Sequence, residues 1–250
     1  MTRIRVLSYN IHHGANAANR LNLAAITDVI ATAQADVVCL QEVDCHYGPR
    51  SAYGDQCHEL ADSLGLHAAY GPSVVRGEQK YGNALLSAGE LTQSKVDFLP
   101  TQKSQEPRSV LSANLSTKSG TIRVASTHFS AGRRWSDVRR GQAEALADLV
   151  EGWAAPAIVG GDFNSARHPR ELAPLDTLRQ ARPVRWSLRQ WGAWFQRPEG
   201  ATFPASWPRL HLDRVYFTGD ATVTRYRVLP VMASDHRPLL VELQFLPRRL

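Results

Sequence analysis

Several apolar runs of this chain end in a residue able to hold a metal or move a proton. Val6-Leu7 leads into Ser8-Tyr9-Asn10, Val38-Cys39-Leu40 into Gln41-Glu42, and Val124-Ala125 into Ser126-Thr127-His128. Gly160-Gly161 leads into Asp162-Phe163-Asn164, Asp213 interrupts an apolar run after Leu212, and Ser234-Asp235-His236 precedes the last run. Polar groups in or beside a core cost free energy unless they are paired or bind a cation. One such residue reads as a satisfied structural hydrogen bond; its repetition at strand after strand points to convergence on one site. Glu42, Asp162, Asp213 and Asp235, with the amide oxygens of Asn10 and Asn164, form an oxygen-rich set suited to Mg²⁺ or Mn²⁺. An imidazole such as His236, with an ordinary pKa near ~6.5, gives or takes a proton at neutral pH, and a partner carboxylate fixes its tautomer.

Other chemistries fit less well. The zinc pattern H-E-x-x-H is absent, and Cys39, Cys45 and Cys57 offer neither paired C-x-x-C spacing nor an even disulfide framework. Cys39, inside Val37-Val38-Cys39-Leu40, reads as a small buried hydrophobe, and a reducing compartment is the simpler inference. His12-His13 is expected to continue a strand and point to opposite faces, so the pair is not expected to share an ion. A serine hydrolase built on Ser234, Asp235 and His236 is excluded, because three consecutive residues cannot form a nucleophile-base-orienter triad and no G-x-S-x-G elbow occurs.

The elements that must position these residues follow from apolar periodicity. Strands are expected over 4–11, 36–43, 83–87, 96–99, 110–116, 121–129, 157–161, 211–218, 223–229 and 239–245, with a Ser119-Gly120 hairpin turn. Helices are expected over 21–33, over 57–66 with Gly65 at the end, and over 138–153 behind a Ser136 N-cap. Strands followed by helices, with hairpins in both halves, predict an α/β domain of two packed mixed sheets flanked by helices, and no linker divides the 250 residues. Hydrophobic residues make up 43% of the chain, enough for a full core, and no apolar run reaches membrane-spanning length. Together with the absence of a signal-peptide pattern, this predicts a soluble, cytoplasmic monomer.

The net charge is +6, carried almost wholly by arginine, since only Lys80, Lys95, Lys103 and Lys118 are lysines. Arginine's planar fork suits phosphate, although a solvated basic surface accounts for the charge equally well. Arg50 reads either as a phosphate contact or as an exposed loop arginine, and Asn83 either faces substrate or shapes a strand entry. The stretch from Arg182 to Arg197 interleaves Arg182, Arg185, Arg189 and Arg197 with Trp186, Trp191, Trp194 and Phe195. It reads first as a helix packing its tryptophans inward, and otherwise as a nucleic-acid or lipid-phosphate contact. Gly200 to Pro208 reads as a rigid loop entering the Asp213 strand.

In order along the chain, Ser8-Tyr9-Asn10-Ile11, Leu40-Gln41-Glu42-Val43-Asp44, Tyr81-Gly82-Asn83-Ala84 and Ser126-Thr127-His128 are followed by three more segments. These are Gly161-Asp162-Phe163-Asn164, Leu212-Asp213-Arg214 and Ser234-Asp235-His236-Arg237-Pro238. Over 6–241 this set resembles the endonuclease/exonuclease/phosphatase superfamily, the DNase I-like metal-dependent phosphoesterases. The resemblance implies a four-layered α/β sandwich and hydrolysis of a phosphate ester with Mg²⁺ or Mn²⁺. It also implies roles: Glu42 as principal metal carboxylate with Asn10 beside it, and Asp235 completing or supplementing the metal shell. Asp162 would orient or deprotonate the attacking water, Asn164 would bond a phosphate oxygen, and His236, held by Asp213, would be the catalytic imidazole. His128 would stand on the leaving-group side. Whether Asp162 or His236 is the base stays open at this point. Charge slightly favours a nucleic-acid substrate over a phosphorylated lipid or small molecule; a non-catalytic phosphate-binding protein is the rival from another class.

Overall fold

Period-two alternation decides which layer each strand residue faces. In β1 (Thr2–Asn10), Ile4 and Val6 enter one core while Leu7 and Tyr9 enter another. β2 (Val37–Cys45) runs parallel to β1 and repeats the rule, with Val37 and Cys39 on the first side and Val38 and Leu40 on the second. The remaining strands are β3 (His67–Arg76), β4 (Gln79–Ser87), β5 (Leu91–Leu99), β6 (Arg108–Thr117), β7 (Gly120–His128), β8 (Ala157–Asp162), β9 (Arg179–Gln180), β10 (Asp213–Phe217), β11 (Ala221–Val228) and β12 (Leu239–Phe245). They form one six-stranded sheet of order β11-β12-β1-β2-β4-β3 and a second of order β5-β6-β7-β8-β10-β9. The computed structural model describes residues 2–118, 120–166, 170–183 and 200–246.

The first core lies between the sheets, where Val6, Cys39 and Leu85 of one meet Leu111, Val124, Ile158 and Val215 of the other. The second lies under α1 (Leu23–Ala33) and α2 (Gln56–Leu64), which bury Ile26, Ile30, Cys57 and Leu60 against Leu7, Val38 and Leu40. A third joins α3 (Ser136–Glu151) to the opposite sheet through Leu146 and Val150 packed with Val110, Ala125 and Val159. Each such fully buried aliphatic side chain contributes about 1.5–3 kcal/mol. The layers therefore run helix, sheet, sheet, helix, the four-layered sandwich that the sequence predicts.

Local signals set most helix ends. Asn22 accepts from Ala25 N (3.2 Å) at the start of α1, and Asp55 accepts from His58 N (3.1 Å) at the start of α2. Gly65 closes α2 with a left-handed φ of 63°. Ser136 departs from expectation: Trp135 occupies the cap position, and Ser136 is the first helical residue. β3 was not expected from the sequence, because Ala68, Ala69, Gly71 and Pro72 carry little strand propensity and the pairing with β4 imposes the strand. β4 and β5 likewise begin earlier than expected, at Gln79 and Leu91. β6 and β7 pair with Thr117 opposite Gly120; Ser119, the other half of the expected turn, lies outside the described residues. So does the Arg182–Arg197 stretch beyond Pro183.

One ionic clamp braces the strand ends of the second sheet. Arg139 on α3 donates to both Glu171 oxygens (2.9 and 2.8 Å) and to the carbonyls of Ser130 (2.9 Å) and Gly132 (2.7 Å). It thereby ties the segments that follow β7 and β8 to one helix. Burial by itself would raise the Glu171 carboxyl, but the two-point hydrogen bond and charge of the Arg139 fork hold it down at about 2. A depressed carboxylate stabilises the fold above its unfolded pKa of ~4.5, and this contribution is lost as pH falls toward 2. Glu171→Gln is expected to lower stability by about 1–2 kcal/mol at neutral pH. In urea titrations the gap to wild type should close between about pH 4.5 and 2.

Candidate active site

The same alternation that builds the inter-sheet core carries the polar residues into it. On β7 the inward series Ile122, Val124 and Ser126 ends at His128, and on β8 Ile158 and Gly160 lead to Asp162. On β10, Val215 and Phe217 share their face with Asp213, and on β1 the series Ile4, Val6 and Ser8 ends at Asn10. Register then aligns them. His128 lies beside Asp162 across β7 and β8, and Asp162 lies directly opposite Asp213 across β8 and β10. Each sits at the same end of its sheet because β7 and β8 finish where the antiparallel β10 begins.

Glu42 reaches this rim by a different device. Alternation along β2 would send it to the helix layer with Val38 and Leu40. Between Leu40↔Ala84 and Val43↔Gly82, however, β2 carries one residue more than β4, and Glu42 takes a left-handed φ of 60°. The bulge turns the carboxylate toward Asn10, whose Nδ2 donates to Glu42 Oε1 (2.9 Å) and to Asp162 Oδ2 (3.1 Å). One amide thus joins the two sheets. Asn10 Oδ1 accepts from His12 N (3.0 Å), so in this rotamer Asn10 presents nitrogen to both carboxylates.

The segment before β12 brings the imidazole. Ser234 Oγ donates to Asn10 O (2.8 Å) and accepts from His236 N (3.3 Å), which links the end of β1 to the His236 turn. Phe203 covers the His236 ring (centroids 4.8 Å apart), while Arg237 donates through its backbone to Thr202 O (2.8 Å). His236 Nδ1 is 2.8 Å from Asp213 Oδ2, and its Nε2 is 3.6 Å from Asp162 Oδ2. On the other side His128 Nε2 is also 3.6 Å from Asp162 Oδ2 and 3.0 Å from the Asn164 amide nitrogen. Asn164 N donates to Asp162 Oδ1 (2.9 Å), a local turn helped by the left-handed φ of 48° that asparagine tolerates.

Burial makes these groups electrostatically interdependent. Asp162 and Asp213 are 1% and 0% exposed. Burial raises the Asp162 carboxyl, the His236 charge opposes it, Asp213 adds to the rise, and the result is upward. For His236 burial disfavours the imidazolium, but the charges of Asp213 and Asp162 outweigh it and hold the ring proton well above the ordinary range. His128 moves the other way: burial, then the positive charges of Arg108 and His236, push it well below. The two histidines flanking Asp162 are therefore unlike, one cationic and one neutral. Asp162, Asp213 and His236 each place a ligand-capable atom within 4.8 Å of the others.

The chain matches known proteins along nearly its whole length. The endonuclease/exonuclease/phosphatase family model matches residues 7–236. The chain belongs to that family. Escherichia coli YbhP is 31% identical over 261 residues, covering 96% of this chain and 95% of that protein. An endonuclease/exonuclease/phosphatase structure from Beutenbergia cavernae superposes with a TM-score of 0.79 at 22% identity, over 98% of this chain and 72% of that one. The mannosyl-6-phosphatase Bt3783 of Bacteroides thetaiotaomicron superposes with a TM-score of 0.74 at 18% identity, over 97% and 100%. The two-sheet sandwich is the fold of these family members, a phosphoesterase fold.

Of the residues singled out in the sequence, Asn10, Glu42, His128, Asp162, Asn164, Asp213 and His236 meet at this rim. Asp235 stands at its edge, next to His236 and near enough for its charge to act on that ring. Arg50 is not in the cluster; it is bidentate on Asp44 (2.8 and 2.7 Å) and stacked over Tyr47. Asn83 is buried between the sheets, donating to Ser109 O (3.1 Å). His12-His13 does not continue β1 but turns out of it with both φ values positive and the rings 4.3 Å apart, so the strand argument about that pair fails. Sequence reasoning missed Arg108, which is buried and lies 3.1 Å from His128 Nδ1 and 2.9 Å from Glu106. Its only signal was position, at the head of a strand made mostly of apolar and small residues.

A non-glycine residue in the left-handed region costs about 1–2 kcal/mol. Glu42→Gly is therefore expected to be more stable than Glu42→Ala by about 1 kcal/mol in chemical denaturation, with both losing the carboxylate equally.

Proposed function

We propose that this family member hydrolyses a phosphodiester or phosphomonoester with Mg²⁺ or Mn²⁺, by in-line attack of water. The observation that carries the reading is the buried Asp213–His236–Asp162 relay abutting the Asn10–Glu42 pair. A non-catalytic phosphate-binding protein has no use for an imidazole clamped at one nitrogen and aimed by the other at a second carboxylate. The donor set fits a hard cation: Glu42 and Asp235 have no ion-pair partner among the described residues, and no cysteine joins them. Glu42 would hold the ion, with Asp235 and Asn10 at its flanks. When bound, the cation supplies charge neutralisation for the phosphate oxygens.

The chain's own groups would do the rest. Asp213 accepts from His236 Nδ1 and fixes the ring's orientation, so that the imidazolium Nε2–H would face the reacting centre as a charged donor to phosphate. Asp162, its basicity raised by burial, would take the proton of the attacking water. Asn164 presents its amide beside His128, on the side from which a leaving oxygen would depart. The net charge of +6 favours a polyanionic substrate such as nucleic acid.

The test is hydrolysis of bis-p-nitrophenyl phosphate, plasmid DNA, RNA and a phosphoinositide panel with Mg²⁺, Mn²⁺ or EDTA. Activity should vanish in EDTA and fall by at least about 10³-fold in His236→Ala. Activity that persists in EDTA, or survives both Glu42→Ala and His236→Ala, defeats the reading. Asp213→Asn should lower kcat by about 10²–10⁴-fold while leaving Mn²⁺ affinity, measured by calorimetry, within about twofold. A large loss of Mn²⁺ affinity would place Asp213 on the ion instead.

A further inference from the structure

A second cluster of ligand-capable side chains lies at the far end of β2, outside the relay. Cys45, the last residue of β2, forms an isolated antiparallel bridge with Asp55, the cap residue of α2. Residues directly opposite in such a bridge project to the same side, with Cβ atoms about 4.5–5.5 Å apart. The intervening loop is closed by His46 N donating to Gly54 O (2.9 Å). In a regular strand His46 would point away from Cys45, but its φ of 51° breaks the alternation. One donor atom from each of Cys45, His46 and Asp55 consequently lies within 4.8 Å of the others.

We propose that Cys45, His46 and Asp55 form a site for a thiophilic divalent cation, Zn²⁺ by its chemistry, that closes the base of the 46–55 loop. The donor set is one thiolate, one imidazole and one carboxylate, the ligand types zinc takes at three-residue sites. The imidazole is already prepared. Its Nδ1 lies 2.8 Å from the Tyr53 carbonyl, an acceptor, so Nδ1 carries the proton and Nε2 keeps its lone pair. This is the outer hydrogen bond that ligating histidines habitually make. His46 is exposed, so a fourth position opens to water.

The site has a consequence for the loop it closes. Arg50, within that loop, is bidentate on Asp44, the residue before Cys45, and stacks over Tyr47 and Tyr81. A cation at the loop base would hold this arginine–tyrosine stack in place beside the rim that carries Glu42. The site does not depend on the hydrolytic reading.

The test uses the full-length chain stripped of metal and titrated with Co²⁺, whose thiolate charge-transfer absorption reports only sulfur ligation. One equivalent should produce that absorption in wild type and in Glu42→Ala, and Zn²⁺ should displace it. Cys45→Ser should abolish it, and His46→Ala should weaken Co²⁺ binding at least about tenfold. Absence of the absorption in wild type overturns the proposal, as does its loss in Glu42→Ala or its persistence in Cys45→Ser. Unchanged affinity in the exposed His46→Ala variant overturns it as well, whether or not Cys45→Ser folds.

Discussion

Two carboxyl groups, Asp162 and Asp213, face each other across adjacent strands with almost no access to water. Like charges directly opposite in a sheet are unfavourable, and burial sharpens the repulsion. The fold answers by placing the His236 imidazole between them, its Nδ1 on one carboxylate and its Nε2 toward the other. Three neighbours hold that arrangement in place. Ser234 ties the His236 turn to β1, Phe203 covers the ring, and Asn10 spans the gap between sheets to steady Asp162. A buried carboxylate pair held in this way is costly to the fold, which is the physical ground for giving it a chemical role in the proposed reaction.

The contrast between the two histidines follows from their neighbours rather than their burial, which is nearly the same. His236 sees carboxylates on both nitrogens and is held charged. His128 sees the Arg108 guanidinium, a pure donor, against Nδ1 and is held neutral. With Nδ1 accepting from Arg108, the neutral His128 carries its proton on Nε2, so the cationic and the neutral imidazole both turn a donor toward Asp162.

How much of this was legible depended on whether a residue obeyed its strand's period. Asn10, His128, Asp162 and Asp213 extend inward-facing apolar series, so their convergence could be read from alternation and strand ends. The four layers were readable for the same reason. β3 was not, because its Ala-, Gly- and Pro-rich sequence is made a strand only by its partner. Glu42 was legible as a strand-end carboxylate, with its role given by resemblance, but its geometry was hidden, because the bulge that aims it appears only in the pairing with β4. Arg50 was read as a loop residue with phosphate in view, yet its fork is taken up by Asp44, six residues away. The cysteines illustrate the same limit: spacing along the chain gave no metal pattern, since Cys45 and Asp55 are brought together by a bridge that closes a loop.

The extra residue in β2 also separates what the fold requires from what the chemistry requires. On either side of Glu42 the facing pattern is continuous: Gln41 turns inward to Ser126, and Val43 joins Leu40 under the helices. Excising that one position would leave a regular ladder from Leu40↔Ala84 to Val43↔Gly82, with every remaining side chain on its present face. The carboxylate is thus a graft on a strand that is whole without it. Within this architecture, a change in chain length of a single residue is the shortest route between a sandwich that carries this carboxylate at its rim and one that does not.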